Sequence, residues 1–352
     1  LSMVLSTIIL VVGLTMEQEW SLSAEQRLYR DRIIFSSTSK YQRIVLTESR
    51  SGTISCYING HLQFNSYDEH IYHENLVHPA MLLTPIRKRI LILGGGDGLA
   101  LREILKYGDV ESVTLVDLDP AMTELAKTNK HFIRLNQGSL SHSKTILLEN
   151  LAIIGTRKAT LKATGGRGVN PELKETIVDI EIINLDAAAF VAQAPGLYDV
   201  ILIDFPDPNS VELSKLYSQH FYGFVRKKLS ADGILVQQST SPIHAREAFL
   251  CIGRTMKSAG LSVVPYHDNV PSFGEWGWWI GGRNDRQSET FLTKRLSAIP
   301  ALTVKTKYLS SHLIKASLHF GINQLETSET AINTITNPRI HNYYLDAWQE
   351  SH

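Results

Sequence analysis

The strongest constraint in this chain is a change of rhythm near residue 88. From there short apolar runs alternate with helical stretches, and the first run, Arg89–Leu93, is followed at once by Gly94-Gly95-Gly96-Asp97-Gly98. Further strands are expected at Ser112–Val116, Val178–Ile183, Val200–Ile203 and Ile234–Gln238. Helices are expected at 99–107, from Pro120 to about Lys130, at roughly 212–229 and at 243–259, Pro120 occupying a favoured first helical position. Strands spaced by helices in this way predict an α/β unit whose parallel sheet carries helices on both faces.

Before that unit, Gln42–Thr47, Thr53–Tyr57 and His61–Phe64 read as antiparallel strands. Ser51-Gly52 and Asn59-Gly60 supply the turns, the second being a strong hairpin signal. A helix over 67–83 follows and ends before Pro85. The region 141–176, with Lys144, Arg157, Lys158, Lys162, Arg167 and Lys174, breaks the alternation and reads as an insertion. Residues 285–352 are mixed and polar, with a final helix near Tyr343–Gln349. The domain reading is therefore a β-hairpin domain over 29–66, a catalytic domain over 67–284 with its insertion, and a C-terminal extension over 285–352.

Residues 1–16 carry no charge, but the run is shorter than the ~20 residues of a membrane helix. A truncated transmembrane helix, a clipped signal sequence and a buried amphipathic segment compete there, and the signal-peptide reading lacks a basic first region. Lys+Arg and Asp+Glu number 35 each, which excludes the basic footprint of a nucleic-acid binder. Two cysteines, Cys56 and Cys251, cannot build a disulfide framework or a four-thiolate zinc site, and two buried thiols are the expected state.

Chemistry concentrates at the strand ends. A glycine turn between strand and helix lets the backbone approach a nucleotide-type ligand, and Gly94, Gly95, Gly96 and Gly98 are its candidates. Asp97 within the turn repels a pyrophosphate or a free amino-acid carboxylate and favours an ammonium. Asp117, about 20 residues on at the end of the second strand, suits the two hydroxyls of a ribose. Asp119, just before Pro120, fits a helix cap better. Asp186-Ala187 would lie beside a nucleoside base, with helix capping as an equal alternative. Asp204-Phe205-Pro206-Asp207-Pro208 leaves the fourth strand with two acids three residues apart. Single capping roles do not explain why Asp97, Asp117, Asp186 and Asp204 all fall at carboxyl ends of strands, so a shared site is expected. Such a pocket suits a polycation joined to a nucleoside. A hard cation such as magnesium ranks lower because no phosphate-binding lysine motif accompanies the acids.

Tyr72 and His73 would face this site if their helix packs across the edge of the sheet. His70 and His73 lack a third metal ligand. Pro271-Ser272-Phe273-Gly274-Glu275-Trp276-Gly277-Trp278-Trp279 suits a flat wall for an alkyl chain or a cation, with an aromatic core strand as the alternative.

These segments, in this order from about residue 29 to 282, resemble the spermidine synthase family, the polyamine aminopropyltransferases. Tyr41-Gln42, Leu62-Gln63, Asp68-Glu69, Tyr72-His73-Glu74, the 94–98 turn, Val116–Pro120, Asp186-Ala187, the 204–208 run and the 271–277 aromatics carry the resemblance. Leu62-Gln63-Phe64, Pro206-Asp207-Pro208 and Leu216-Tyr217-Ser218 look like the bacterial branch with a membrane-embedded N-terminal region, which favours the truncated-helix reading of 1–16. The resemblance implies a Rossmann-like, methyltransferase-type sheet with a small N-terminal antiparallel β domain. It implies transfer of the aminopropyl group of decarboxylated S-adenosylmethionine, a co-substrate rather than a resident cofactor, to putrescine or another polyamine, giving spermidine and methylthioadenosine. It implies no metal site, a homo-oligomer, no nucleic-acid partner, and a catalytic domain in the cytoplasm held at the bacterial inner membrane by the N-terminal segment.

By the same resemblance Gln42 and Asp117 hold the nucleoside, and Asp186 and Ala187 contact adenine. Asp97 and His73 hold amines, Asp204 takes the proton, Asp207 binds a polyamine nitrogen, and Tyr72 touches the acceptor. The chain departs from the soluble branch at Phe205 and Pro206, at Asn209-Ser210-Val211 and in the length of 141–176. A methyltransferase using intact S-adenosylmethionine and a non-catalytic polyamine-binding domain are the rival readings.

Overall fold

The computed structural model describes residues 24–141, 143–147, 167–169 and 177–349. The uncharged run 1–16 and most of the 141–176 insertion lie outside the described residues. Among the described residues no helix is long and apolar enough to cross a membrane. The chain divides into two compact units that meet between Tyr67 and Asp68.

The first unit is a four-stranded antiparallel sheet in the order β1 (Arg32–Thr38), β2 (Arg43–Glu48), β3 (Ile54–Ile58) and β4 (His61–Asn65). The two turns fall where Gly52 and the Asn59-Gly60 pair allow positive φ, as hairpin connections require. β1 is an addition to the sequence reading, since its alternation is broken by a register shift between Ile33 and Phe35. Ile44, Leu46, Cys56 and Phe64 form its buried side.

The second unit opens with α1 (Glu69–Leu83) and continues β5 (Arg89–Gly94), α2 (Leu99–Ile104), β6 (Ser112–Asp117), α3 (Pro120–Thr128) and α4 (Lys130–Asn136). The helix expected to run from Pro120 to Lys130 thus stops at Thr128, where Asn129 turns extended and caps a second helix through the N–H of His131. Then come β7 (Lys144–Leu147), β8 (Arg167–Val169), β9 (Ile177–Asn184), α5 (Ala187–Gln193), β10 (Tyr198–Asp204), α6 (Val211–Ser214), α7 (Gln219–Lys228) and β11 (Leu229–Gln238). The unit closes with α8 (Arg246–Ser258), β12 (Leu261–Val270), β13 (Gly274–Arg283), α9 (Glu289–Ser297), α10 (Ser311–Ala316) and α11 (Arg339–Gln349). β7 and β8 both pair with β9, so the described ends of the insertion extend the sheet.

The sheet order is β12-β13-β11-β10-β5-β6-β9-β7, with β8 also on β9. Strands β11, β10, β5, β6, β9 and β7 run parallel, and β13 and β12 add an antiparallel edge. Ile90 to Leu93, Val200 to Ile203 and Ile234 to Val236 are buried, as strands covered on both faces must be. The order reverses at β5, whose neighbours β6 and β10 diverge into opposite halves, and ligands of open α/β sheets bind at the carboxyl side of such a point. The 285–352 tail belongs to this second unit, with Ile340 and Tyr344 of α11 in its main apolar cluster. Cys56 and Cys251 are buried and are not joined in a disulfide.

Candidate active site

Register brings the acids together. Asp204 stands opposite Gly94 across the β10–β5 pair, and Asp117 ends β6 opposite Asn184 of β9. The glycine turn fills the crevice between them. Gly94 has φ +85°, and a Cβ there would lie 2.1 Å from the Asp204 carbonyl oxygen. Gly96 has an ordinary backbone, but a Cβ would stand 2.5 Å from Oδ2 of Asp117. Its N–H donates to that same oxygen at 3.0 Å, while the N–H of Asp119 donates to Oδ1 at 2.9 Å. Asp119 itself caps α3, as its position before Pro120 predicts. Gly98 starts α2, and its carbonyl accepts the Ser139 hydroxyl at 2.8 Å.

Asp97, Asp117, Asp204 and Asp207 are all half-buried, so each keeps some contact with solvent. Burial pushes Asp117 up to about 6 against the two N–H groups it accepts. Burial likewise raises Asp204 to about 6, helped by Asp97 and opposed by His73 and the Tyr72 hydroxyl. Asp207 is brought to about 6 by burial, opposed by the neutral side chains of Gln238, Tyr344 and Thr240. Asp97 is also raised by burial, opposed by His73 and by the Leu99 N–H, which donates to its Oδ1 at 2.8 Å. Among the described residues no group of three or more His, Cys, Asp and Glu could hold a metal ion.

The α1 helix is buried almost all round, and the burial includes Glu69, His73, Glu74, Asn75 and His78, which find their partners inside the fold. It packs on β10, β11, β12 and β13, so its 72–73 pair does reach the acids. The Tyr72 hydroxyl donates to Oδ1 of Asp204 at 2.5 Å, and its ring sits against Phe273 and Trp278. His73 is fixed through Nδ1 to the carbonyl of Glu69 at 2.7 Å and to its Oε2 at 3.0 Å. Burial by itself would lower the imidazolium, but Glu69, with Asp97 and Asp204, outweighs it and raises His73 to about 9.

Behind His73, Arg102 holds both oxygens of Glu69 at 2.8 and 2.9 Å, and its Nε bonds Glu103 at 2.8 Å. Glu103 also accepts from His78. Every member of this chain of charges is buried. A fully paired network of this kind orients its members, whereas a broken one leaves a costly charge.

The aromatic segment is β13, and its two adjacent tryptophans point to opposite faces. Trp278 stacks on Tyr266 beside Tyr72, whereas Trp279 stacks on Phe249. Phe205 and Pro206, the departures between the two acids, leave the cleft intact. Phe205 turns into the core against Tyr217 and Phe221, and the Pro206 carbonyl accepts the Tyr217 hydroxyl at 2.9 Å.

Two further expected site residues are engaged in local contacts. Asp186 is exposed and caps α5 through the Ala189 N–H at 2.8 Å, with Ala187 buried beneath. Gln42 belongs to the first unit, in the turn before β2, where its N–H donates to the Ser39 hydroxyl at 3.1 Å. The sequence reading gave no role to Gln238, Thr240, Glu69, Arg102 or Tyr344. Gln238 ends a parallel strand and could have been found by the same edge rule that selected Asp204. Tyr344 carried no such signal.

A family model described as the spermine/spermidine synthase domain matches residues 69–159 and 152–292. The chain belongs to that family. Two relatives named polyamine aminopropyltransferase support the membership. That of Oceanobacillus iheyensis is 37% identical over 345 residues, covering 97% of this chain and 59% of the relative. That of Leptospira interrogans is 36% identical over 340 residues, with the same two coverages. The chain thus spans about three fifths of the length of these relatives.

The synthase-family fold is also found in solved structures. A spermidine synthase in complex with the transition state analogue AdoDATO has a TM-score of 0.62 at 22% identity, covering 84% of this chain and 88% of that one. The spermidine synthase of Thermotoga maritima has a TM-score of 0.60 at 22% identity, with coverages of 84% and 87%. At such identity these two speak to the fold, a Rossmann-like sheet with a small antiparallel β domain.

Proposed function

We propose that this chain is an aminopropyltransferase acting on decarboxylated S-adenosylmethionine and putrescine or a related polyamine, releasing spermidine and methylthioadenosine. The observation that carries the reading is the placement of Asp97, Asp204 and Asp207. Three half-buried carboxylates share one cleft with a glycine turn suited to a nucleoside, and a cation with an adenosine attached answers both features. The names of the synthase-family relatives support the same chemistry.

In this reading Asp117 binds the ribose, Asp186 and Ala187 border the adenine, and Asp97 holds the aminopropyl ammonium. The assignment of Gln42 to the nucleoside rests on the family resemblance alone. The acceptor amine attacks the aminopropyl carbon next to the sulfonium. A carbon–nitrogen bond forms, the carbon–sulfur bond breaks, and its electron pair leaves on sulfur as methylthioadenosine. The proton of the attacking ammonium goes to Asp204, which at about 6 is ionised near pH 7 yet more basic than an ordinary carboxylate. Alkylamines are mostly protonated at that pH, so this transfer is required before attack. The sulfonium is already an activated leaving group, so alignment of nitrogen, carbon and sulfur supplies much of the acceleration without a cofactor. Assembly as a homo-oligomer and an inner-membrane anchor in residues 1–16, with the catalytic unit in the cytoplasm, belong to the same proposal.

The test is incubation with decarboxylated S-adenosylmethionine and a series of diamines and triamines, followed by mass spectrometry. Methylthioadenosine and a longer polyamine are expected in equal amounts. Methyl transfer from intact S-adenosylmethionine in their place identifies a methyltransferase. Amine binding without any product identifies a binding domain.

A further inference from the structure

Asp68 occupies the N-cap position of α1, where an aspartate ordinarily accepts a helix N–H. Its side chain makes no such bond. It is 2% exposed and gives both oxygens to one residue 204 positions along the chain. Oδ2 accepts the Ser272 N–H at 2.6 Å, and Oδ1 accepts the Ser272 hydroxyl at 2.9 Å. The first turn of α1 thus goes without a side-chain cap while a distant loop is held twice.

That loop, Pro271-Ser272-Phe273, is the turn between β12 and β13, whose flanking residues Val270 and Gly274 are paired. The Phe273 N–H closes it on the Val270 carbonyl at 2.8 Å, and Gly274 takes the φ of +79° that short hairpins of this kind require. Hairpin tips ordinarily lie free at the surface. This one is clasped to the start of α1, and its aromatic residues lie against the candidate site. The Phe273 ring stands 5.0 Å from that of Trp276 and meets the Tyr72 ring edge-on at 6.1 Å. Tyr72 in turn bonds Asp204. The clasp therefore fixes where the aromatic wall stands relative to Asp204.

We propose that Asp68 and Ser272 are positioning residues for the acceptor: by holding the β12–β13 turn onto α1 they set the distance between the Phe273–Trp276 wall and Asp204, and so the fit of the acceptor's carbon chain. This inference rests on the aminopropyltransferase reading. Neither residue touches the reacting atoms. The ammonium ends of a polyamine answer to the acids, and the methylene chain between them gains from burial against an apolar face.

Ser272→Ala removes the hydroxyl bond and leaves the N–H bond, Asp68→Ala removes both, and Asp68→Asn restores an oxygen acceptor for the N–H. Steady-state kinetics are compared with putrescine and butylamine, which share one carbon chain while butylamine lacks the second ammonium. Expected is a rise in acceptor KM of about fivefold for Ser272→Ala and about tenfold or more for Asp68→Ala, with kcat and the KM for decarboxylated S-adenosylmethionine within about twofold. Asp68→Asn falls between the two, and both amines respond alike because the chain is common to them. On an Asp68→Ala background Ser272→Ala has no further effect. Unchanged acceptor KM overturns the inference, and so does an equal rise for amine and nucleoside substrate, the mark of general damage to the fold. Should Asp68→Ala fail to fold, Ser272→Ala and Asp68→Asn decide by the same criteria. Calorimetric titration of putrescine should give the same order of affinities without turnover. If the unsubstituted chain releases no methylthioadenosine with any amine, the aminopropyltransferase reading itself has failed, and the calorimetric order alone judges the clasp.

Discussion

The Tyr72 hydroxyl donates a 2.5 Å hydrogen bond to Oδ1 of Asp204, joining α1, the first helix of the second unit, to the end of β10. The distance is normal for a hydroxyl on an ionised carboxylate, and the bond favours the charged form. It therefore works against the burial that raises Asp204 to about 6. Tyr72→Phe is expected to raise Asp204 further. A proton acceptor must be ionised to act, so the acid limb of kcat/KM moves to higher pH by about half a unit to one unit. The loss of activity is then about two- to fivefold at pH 6 and smaller at pH 8. Profiles of kcat/KM against pH from 5 to 9 check this, and an acid limb that stays in place removes Tyr72 from the control of Asp204.

Glu69→Gln separates His73 from the group that keeps it charged. With the hydrogen bond and charge of Glu69 gone, burial dominates and the imidazole should titrate well below about 9. The sign for stability follows. His73 is raised in the folded state, so its contribution is complete below the unfolded value near 6.5 and disappears as pH rises toward about 9. The variant should lose that dependence. It also takes from buried Arg102 one of its two carboxylate partners, Glu103 remaining, at a cost of about 3 kcal/mol. NMR titration of the imidazole and urea unfolding at pH 6 and pH 9 measure the two effects, and a histidine still titrating near 9 refutes the assignment.

The 94–98 turn offers a purely steric test. Gly96 has an ordinary φ, so alanine is allowed there by the backbone, but its Cβ would press on the Asp117 carboxylate. Gly96→Ala should weaken nucleoside binding at least tenfold with little loss of thermal stability. Gly94→Ala adds a positive φ and a backbone clash with Asp204, and should destabilise the fold as well. Methylthioadenosine titration calorimetry and thermal melts distinguish the two variants. A Gly96→Ala protein that binds like the parent shows that the ligand does not depend on the Asp117 contact.

Much of this site was legible because periodicity in a parallel sheet has a direct spatial meaning. Arg89–Leu93 and Val200–Ile203 read as buried strands, and the acids that follow them must emerge at one edge. The facing of Tyr72 and His73 depended on how α1 packs, which no local pattern records, and the polar and apolar residues of the helix are spread too evenly round it to reveal a preferred side. Asp186 shows the limit of the edge rule: it follows β9 as expected, but its carboxylate is engaged in capping α5. The partners of Asp207 were hidden for different reasons. Gln238 is uncharged and so drew no notice among acids, while Tyr344 lies 137 positions along the chain from Asp207, in a polar tail whose docking is tertiary.

Asp207→Asn should show what the acidic cleft costs the protein. Burial raises Asp207 from its ordinary value to about 6, so the folded state holds the proton more tightly than the unfolded chain. Stability from this group is complete below about pH 4 and is lost as pH rises through about 6. Above that the carboxylate costs on the order of 1–2 kcal/mol, less than the full shift because the side chain still touches solvent. Asparagine can accept from Gln238 or Thr240 without carrying the charge. The variant should therefore melt higher than the parent at pH 8 by a few degrees and melt with it at pH 4. Saturating putrescine should narrow the gap at pH 8, because a bound ammonium relieves the charge in the parent and finds none in the variant. Thermal melts at the two pH values, with and without the amine, carry the test; a variant less stable at pH 8 than at pH 4, relative to the parent, would mean that Asp207 is already neutralised within the fold.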